Sequence, residues 1–504
     1  GGLPVALARI VAVQVTSQHY RDARKTLRVA KKAFFITGII SFLIMLIATY
    51  PFVVITKNDG SLLGILAIAP SLLFCCMVST YRGYYEGLRN MYPTAVSSVI
   101  EAMGKLVLGY GFAFAIIKIS GNTNTKTLSL AAAGALMGIT VGTLAGAIYL
   151  IIRHKKIGDG FTREELLASP KPRDSSKILK TLIAIAIPVV LGSLVTNIAS
   201  LIDVTMVQRQ LVSVMNNSGE ILKSMYSDLI ASNSLSDSEI PNALYGCYKG
   251  YAFSIYNLAP AITTVLGVSA LPVLASAWTR RDKPLIKLNI QTMIKTTAMI
   301  AMPMGIGITV LASPIMRLLY PTQPIGVAVA TPLLQTLGIT AVFAGMVFPL
   351  TNMLQAIGKE RIPVLNIAVG AVLKIIVNFI LVGIPSVNIK GAPVGTLVCY
   401  GYIAISNYIC LIKYSGVMPS IVKTVIKPLA AALLCGAAAW GSFAACIKIL
   451  SVGEKLATVI SIIVAGVIYV LALILLRVIE KSDILSLPKG EKIAKRLEKM
   501  NIIK

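Results

Sequence analysis

Only two histidines, two tryptophans and 20 acidic residues occur in 504 positions. His19 and His154 both fall in polar, basic stretches. No imidazole therefore lies inside an apolar run, where a metal site or an intramembrane proton relay would need one. The seven cysteines (75, 76, 247, 399, 410, 435 and 446) sit in or beside apolar runs without CxxC spacing. They read as small core residues rather than as disulfide partners or metal ligands. No GxxxxGKS/T loop occurs, which argues against a built-in ATPase. No Ser, His and Asp arrangement falls at a run boundary. Neither a cofactor nor a metal is expected.

What the chain has in excess is apolar surface. Hydrophobic residues make up 56% of it and charged residues 13%, with a mean hydropathy of +0.80. One soluble core cannot hide that much. Runs of roughly 18 to 28 apolar residues recur, each long enough to cross ~30 Å of hydrocarbon at ~1.5 Å per residue. Thirteen are read, at about 1–15, 33–56, 62–82, 94–118, 128–152, 180–206, 247–277, 292–313, 326–355, 362–383, 392–413, 424–447 and 456–478. The expected class is an all-α polytopic membrane protein.

The formal net charge of +27 would suggest a nucleic-acid partner in a soluble protein, so its placement decides. With the loop 16–32 cytoplasmic, roughly three quarters of the 47 Lys and Arg fall on that same side. Arg9, Lys105 and Lys374 lie inside runs. This is the positive-inside asymmetry. It predicts a cytoplasmic C-terminus and contact with anionic lipid, and no nucleic-acid partner. An odd number of runs then puts the visible N-terminus outside, so one preceding helix is expected to be missing from the chain. The tail "KGEKIAKRLEKMNIIK" (489–504) has apolar residues at 493, 497 and 500 on a basic background. It is expected either to lie on the inner leaflet as an amphipathic helix or to be disordered.

The basic stretch 153–178 separates five runs (1–152) from six more (179–413), and 424–479 holds two further spans. The largest outside loop, 207–246, is rich in Ser and Asn with a few acids and reads as a surface cap, partly helical. An internal echo supports two related bundles. "YYEGLRNMYPTAVSSVIEAMGKLV" (84–107) parallels "MLQAIGKERIPVLNIAVGAVLKII" (353–376): a helix end, a basic turn, a proline at the next helix start, and a lysine 12 or 11 residues on. Chance is the alternative for one short match. Paired halves with substrate between them are the usual build of secondary transporters. Pro70, Pro188, Pro260, Pro272, Pro303 and Pro349 interrupt runs, either as simple kinks or as bends that serve alternating access.

The stretches "RGYYEGLRNMYPTAVSSVIE", "LIDVTMV", "NLAPAITTVLGVSALPVLASA" and "LQAIGKERIPVLNIAVGAVLKIIVNFILVGIPSVNIKGAPVGT" resemble the lipid II flippase and stage V sporulation protein B group. That group lies within the MOP superfamily of multidrug, oligosaccharidyl-lipid and polysaccharide exporters. The resemblance covers nearly the whole chain. It implies fourteen helices: two pseudo-symmetric six-helix lobes around a cationic central cavity, plus two C-terminal helices. The first helix, which in relatives contributes cationic cavity residues, would be absent here.

The charges in the runs are candidates for that cavity. From Pro93, Glu101 lies ~12 Å deep and Lys105 ~18 Å deep, too far to reach water by snorkelling. Their i, i+4 spacing lets them pair on one face, either as a structural pair or as cavity lining. Arg9 is unpaired in its run. In the resemblance this position tends to be basic and near the cavity, and the planar fork of arginine suits a diphosphate; the alternative is an interfacial anchor. Arg82 ends its run and reads as a cavity contact or a boundary anchor. In the second bundle Lys374 and Asn378 share a face, Asp203 lies near the outer end of its own run, and Thr396 is near the outer start of the next. Relatives can bind sodium among corresponding helices through oxygen ligands of the kind Asp203, Asn378 and Thr396 offer. Here Lys374 is expected to replace the ion by pairing with Asp203, with unlinked polar packing the alternative.

The expected function is a flippase, not an enzyme. It would move an undecaprenyl-diphosphate-linked saccharide, lipid II or a relative used in wall or spore-cortex peptidoglycan, across the bacterial cytoplasmic membrane by alternating access. The prenyl tail would stay in lipid at a gap that the last two spans line. The chain is expected to act as a monomer. Two alternatives are a multidrug exporter of the same fold, which would want acidic cavity groups for its cations, and a membrane glycosyl- or acyltransferase, for which no cluster of acids or histidines is present.

Overall fold

The computed structural model describes residues 2–56, 60–88, 90–121, 124–476 and 478. The tail expected to form an amphipathic helix lies outside them. Among the described residues all regular structure is helical. In order, the helices are α1 (Gly2–Thr16), α2 (Tyr20–Thr56), α3 (Ser61–Ile68), α4 (Ser71–Gly87), α5 (Tyr92–Ser120), α6 (Thr125–Ile157), α7 (Arg163–Ala168), α8 (Ser175–Met225), α9 (Ser227–Asn233), α10 (Ile240–Gly246), α11 (Phe253–Tyr256) and α12 (Leu258–Thr279). They continue with α13 (Lys283–Val310), α14 (Ala312–Leu319), α15 (Pro324–Ala356), α16 (Arg361–Val382), α17 (Gly391–Ser415), α18 (Lys427–Lys448) and α19 (Glu454–Leu475). A π-helical turn, Cys247–Ala252, joins α10 to α11, and a second, Val422–Ile426, leads into α18.

Among the described residues, ten helices are long and apolar enough to cross a membrane. They correspond to ten of the runs seen in the sequence, and the protein is a multi-pass, all-α membrane protein. The other three runs differ in form. The first, α1, spans 15 residues, ~22 Å of helix. The run 180–206 lies within α8. The run 247–277 is broken into the π-turn, α11 and α12, so periodicity alone overstated its continuity. Pro70 stands between α3 and α4, whereas Pro303 and Pro349 stay inside α13 and α15. Neighbouring helices can satisfy the backbone groups such prolines free.

Contacts divide the chain into two compact units, Gly1–Ile198 and Ala199–Lys504, with the boundary inside α8. In the first unit α4 is central, touching α1, α2, α5 and α6 and burying Tyr81, Tyr84 and Tyr85. Lipid offers no hydrophobic driving force between helices, so close backbone approach has to hold them. The α5–α6 pair meets this need with glycine: a Cβ on Gly104 would lie 2.5 Å from the Gly142 Cα. Pro93 sits in the first turn of α5, where its missing N–H leaves no bond unmade. That turn directs Ser97, Glu101 and Lys105 along successive turns of one face.

The stretch 153–178, basic and proline-bearing, is not an open tether. Thr162 and Glu165 form a capping box that starts α7. The backbone N–H groups of Arg21 and Arg173 donate to Ser169 Oγ (3.2 Å) and Asp22 Oδ1 (2.6 Å). These ties fasten it to the start of α2.

In the second unit α15 is the hub, packed by α12, α13, α14 and α17 and the most enclosed of the ten long helices. Leu334, Leu337 and Ala341 of α15 are fully buried with Leu211 of α8 and Leu244 of α10. α16 pairs with α17, and α18 packs with α19 and against α13. The Tyr469 hydroxyl donates to the Met299 carbonyl at 2.6 Å, a polar tie between α19 and α13.

Candidate functional site

The first unit gathers three of its four candidate residues. Arg82 Nη2 lies 3.0 Å from Glu101 Oε2, and Lys105 Nζ lies 3.0 Å from Glu101 Oε1. Arg82 Nε donates to Ser97 Oγ at 2.9 Å, and Thr143 Oγ1 of α6 donates to Glu101 Oε1 at 3.4 Å. One carboxylate thus holds two cations, and the cluster keeps a net positive charge. Arg82 and Glu101 are mostly enclosed, whereas the Lys105 side chain is 43% exposed, so Lys105 retains donors for a further partner. Arg9 is not part of this cluster. It is exposed on α1, and among the described residues it makes no ion pair or hydrogen bond.

The second unit gathers Asp203, Lys374 and Asn378. Lys374 Nζ lies 2.7 Å from Asp203 Oδ2, and Asn378 Nδ2 donates to Asp203 Oδ1 at 2.6 Å. Asp203 is 3% exposed and Asn378 fully buried. Gly395 of α17 makes room for this, since a Cβ there would collide with Asn378 Oδ1. Thr396 stands next along α17, but its hydroxyl pairs with Tyr248 at 3.1 Å and donates to the Ala392 carbonyl at 3.0 Å. No described contact joins it to Asp203. The sodium ion implied by the resemblance does not fit this donor set. The Lys374 ammonium holds the only carboxylate in it, and an ammonium beside a hard cation is repulsive.

Sequence reading missed two residues. Lys249 lies in the π-helical turn, with Nζ 3.7 Å from the Phe253 ring centroid and 5.3 Å from that of Tyr248. Among the described residues it has no carboxylate partner, and cation–π contact replaces one. At a run boundary in "YGCYKGYAFSIY" it looked like an ordinary interfacial lysine, and a π-turn leaves no periodic signal. Single-turn π segments recur at functional sites.

Asp159 is the second. Between Gly158 (φ 76°) and Gly160 (φ 86°), in backbone that favours glycine, it accepts from Arg24 Nε at 2.6 Å, Arg24 Nη2 at 2.7 Å and the Tyr84 hydroxyl at 3.1 Å. Burial alone would raise its carboxyl. The Arg24 hydrogen bonds and charge, with help from Tyr84 and the Phe161 N–H, hold it below the ordinary value. The pair ties the linker to α2 and α4, the helix that carries Arg82.

Residues 1–279 match the family described as polysaccharide biosynthesis protein, and residues 206–461 match the lipid II flippase MurJ family. The chain is 23% identical over 402 residues to stage V sporulation protein B of Bacillus subtilis (strain 168), covering 78% of this chain and 69% of that protein. It is 21% identical over 426 residues to lipid II flippase MurJ of the same organism, covering 82% and 73%. Among solved structures, an inward-facing multidrug resistance MATE family transporter of the MOP superfamily superposes with a TM-score of 0.60 at 15% identity, covering 82% of this chain and 86% of that one. Lipid II flippase MurJ in an inward closed conformation does so with a TM-score of 0.59 at 13% identity, covering 93% and 88%. At these identities the structural likeness shows the fold, and the family matches together span both units. The chain belongs to the lipid II flippase MurJ and polysaccharide biosynthesis protein families, as a multi-pass protein of the bacterial membrane.

Proposed function

We propose that this protein is a flippase for an undecaprenyl-diphosphate-linked saccharide, lipid II or a close relative, working by alternating access with its C-terminus in the cytoplasm. The observation that carries the reading is the charge balance inside the helices. Glu101 is held by both Arg82 and Lys105, and Asp203 by Lys374. A multidrug exporter of cationic compounds needs a carboxylate free to meet its cargo; here Glu101 and Asp203 are already engaged. The cations Lys105 and Arg82, with Arg9 on α1, are proposed to meet the diphosphate. Ammonium and guanidinium donors bind its oxygens through charge-assisted hydrogen bonds. The name of one Bacillus relative, lipid II flippase MurJ, supports the same cargo class.

The prenyl tail does not need to leave hydrocarbon. An open groove of about 520 Å³ runs between α13, α15 and α18, lined by the apolar Ile306, Val310, Leu433, Ala437 and Trp440 and by the polar Thr309 and Gln335, and its apolar side suits such a chain. No catalytic group is assigned, and the chain acts as a monomer.

The reading is tested in cells depleted of their resident lipid II flippase. Expression of this protein should restore growth and the exposure of lipid-linked saccharide on the outer leaflet. Resistance to cationic drugs without restored exposure would replace the flippase by a drug exporter.

A further inference from the structure

Where α2, α4 and α6 leave their apolar stretches, the first unit carries an unbalanced set of cations on an aromatic platform. Three tyrosines, Tyr81, Tyr84 and Tyr85, approach His154 edge-on at centroid distances of 5.5, 6.0 and 6.0 Å. His154 Nδ1 is 3.1 Å from the Tyr85 hydroxyl. Lys31 Nζ lies over the Tyr81 ring at 4.4 Å and feels the charge of Lys155. The Arg153 guanidinium lies over Tyr85 at 5.1 Å and over Tyr92 at 5.8 Å.

The nearby acid cannot balance them. Both oxygens of Asp159 are taken by Arg24, and one also by Tyr84. Among the described residues Lys31, Arg153 and Lys155 form no ion pair. Nη1 of Arg153 is buried without an acceptor. A buried N–H without a partner is costly, and more so when charged. Lys31 and Arg153 stack on Tyr81 and Tyr85, one turn apart on α4, and Lys155 adds its charge to that of Lys31. The arrangement calls for an anion with several acceptor oxygens.

Its place narrows the choice. The apolar run of α6 ends just before Arg153 and that of α2 begins just after Lys32. Tyr92, 66% exposed, sits beside them as interfacial aromatics do. A guanidinium fork and two ammonium groups at headgroup level match a phosphodiester still attached to its lipid. We propose that Lys31, Arg153 and Lys155 form a binding site for the phosphate of an anionic glycerophospholipid in the cytoplasmic leaflet. The site is separate from the Arg82–Glu101–Lys105 cluster and does not depend on which cargo is carried.

The test uses the full chain in nanodiscs of mixed phosphatidylglycerol and phosphatidylcholine, extracted into detergent, with retained lipid counted by native mass spectrometry. Wild type should retain phosphatidylglycerol preferentially, and excess inorganic phosphate should not displace it. Lys31→Gln/Lys155→Gln should lose most of the preference. Lys171→Gln/Lys177→Gln, which removes the same charge from exposed linker positions, should keep it. Lys31→Arg/Lys155→Arg should retain it too, which separates lost charge from lost folding. Equal retention by the two glutamine pairs would reduce the effect to diffuse surface charge and overturn the site. Displacement by inorganic phosphate would overturn its assignment to a lipid.

Discussion

The Lys374 ammonium sits 2.7 Å from the Asp203 carboxylate, joining residues 171 positions apart on α16 and α8. Asn378, one turn on from Lys374, completes the arrangement by donating to the other oxygen. In hydrocarbon a lone carboxylate would neutralise or destabilise the fold. The lysine acts as a tethered counter-ion.

Transport should therefore be independent of sodium. Lys374→Asn removes the tethered charge, leaves an oxygen donor, and should create sodium dependence, read as flipping rate against sodium at constant ionic strength. Lys374→Ala should lower stability by about 3–5 kcal/mol, because it leaves Asp203 buried and unpaired. A sodium requirement in the wild type would contradict this role for Lys374.

The first-unit charges make a second expectation. Lys105→Ala and Arg9→Ala should each lower transport by roughly ten-fold or more with normal membrane insertion, as loss of one charge-assisted hydrogen bond worth about 1.5–3 kcal/mol implies. Arg9→Lys should keep part of the activity. Full flipping by both alanine variants would remove these residues from the cargo path.

The linker tie makes a third. Asp159→Asn breaks the ion pair with Arg24 and should expose 160–174 to limited proteolysis, with about 1–2 kcal/mol lost, reduced from the buried value because Arg24 is 39% exposed. The folded Asp159 carboxyl titrates below its ordinary value of 3.8. Its contribution is thus complete above that pH and is lost as pH falls further, toward the lowered folded value. Wild type should be cut like the variant only in that acid range, as an acid-active protease would show. Equal cutting of the two proteins at neutral pH would rule the tie out.

Gly104→Val places a branched side chain where even a Cβ would lie 2.5 Å from the Gly142 Cα. It should destabilise the first unit by about 1–3 kcal/mol, seen as a lower thermal midpoint in detergent. An unchanged midpoint would show that α5 and α6 separate easily.

Much of the fold is legible in composition, because hydrocarbon thickness imposes its length on any helix that crosses it. Runs such as 33–56 and 456–478 announce α2 and α19 without reference to any other part of the chain. The run 247–277 does not announce its π-turn, because extra backbone residues in a turn change no residue's polarity. The Glu101–Lys105 pair follows from spacing within one helix. Arg82 on Glu101 does not, because it depends on how α4 packs on α5. Asp159 hid for the same reason: "GDG" in a basic stretch reads as a solvated turn until Arg24, 135 positions away, is brought to it. Lys249 needed its surroundings as well, since only the Phe253 and Tyr248 rings distinguish it from an interfacial anchor.

The central claim, that this protein moves an anionic lipid-linked saccharide between leaflets, is tested most directly in proteoliposomes loaded with lipid II. A membrane-impermeant hydrolase added outside reports the accessible fraction. Active protein should raise cleavage well beyond the outer-leaflet share present in empty liposomes, and Lys105→Ala should return it toward that share. Cleavage that stays at the empty-liposome level with folded wild-type protein would contradict the account.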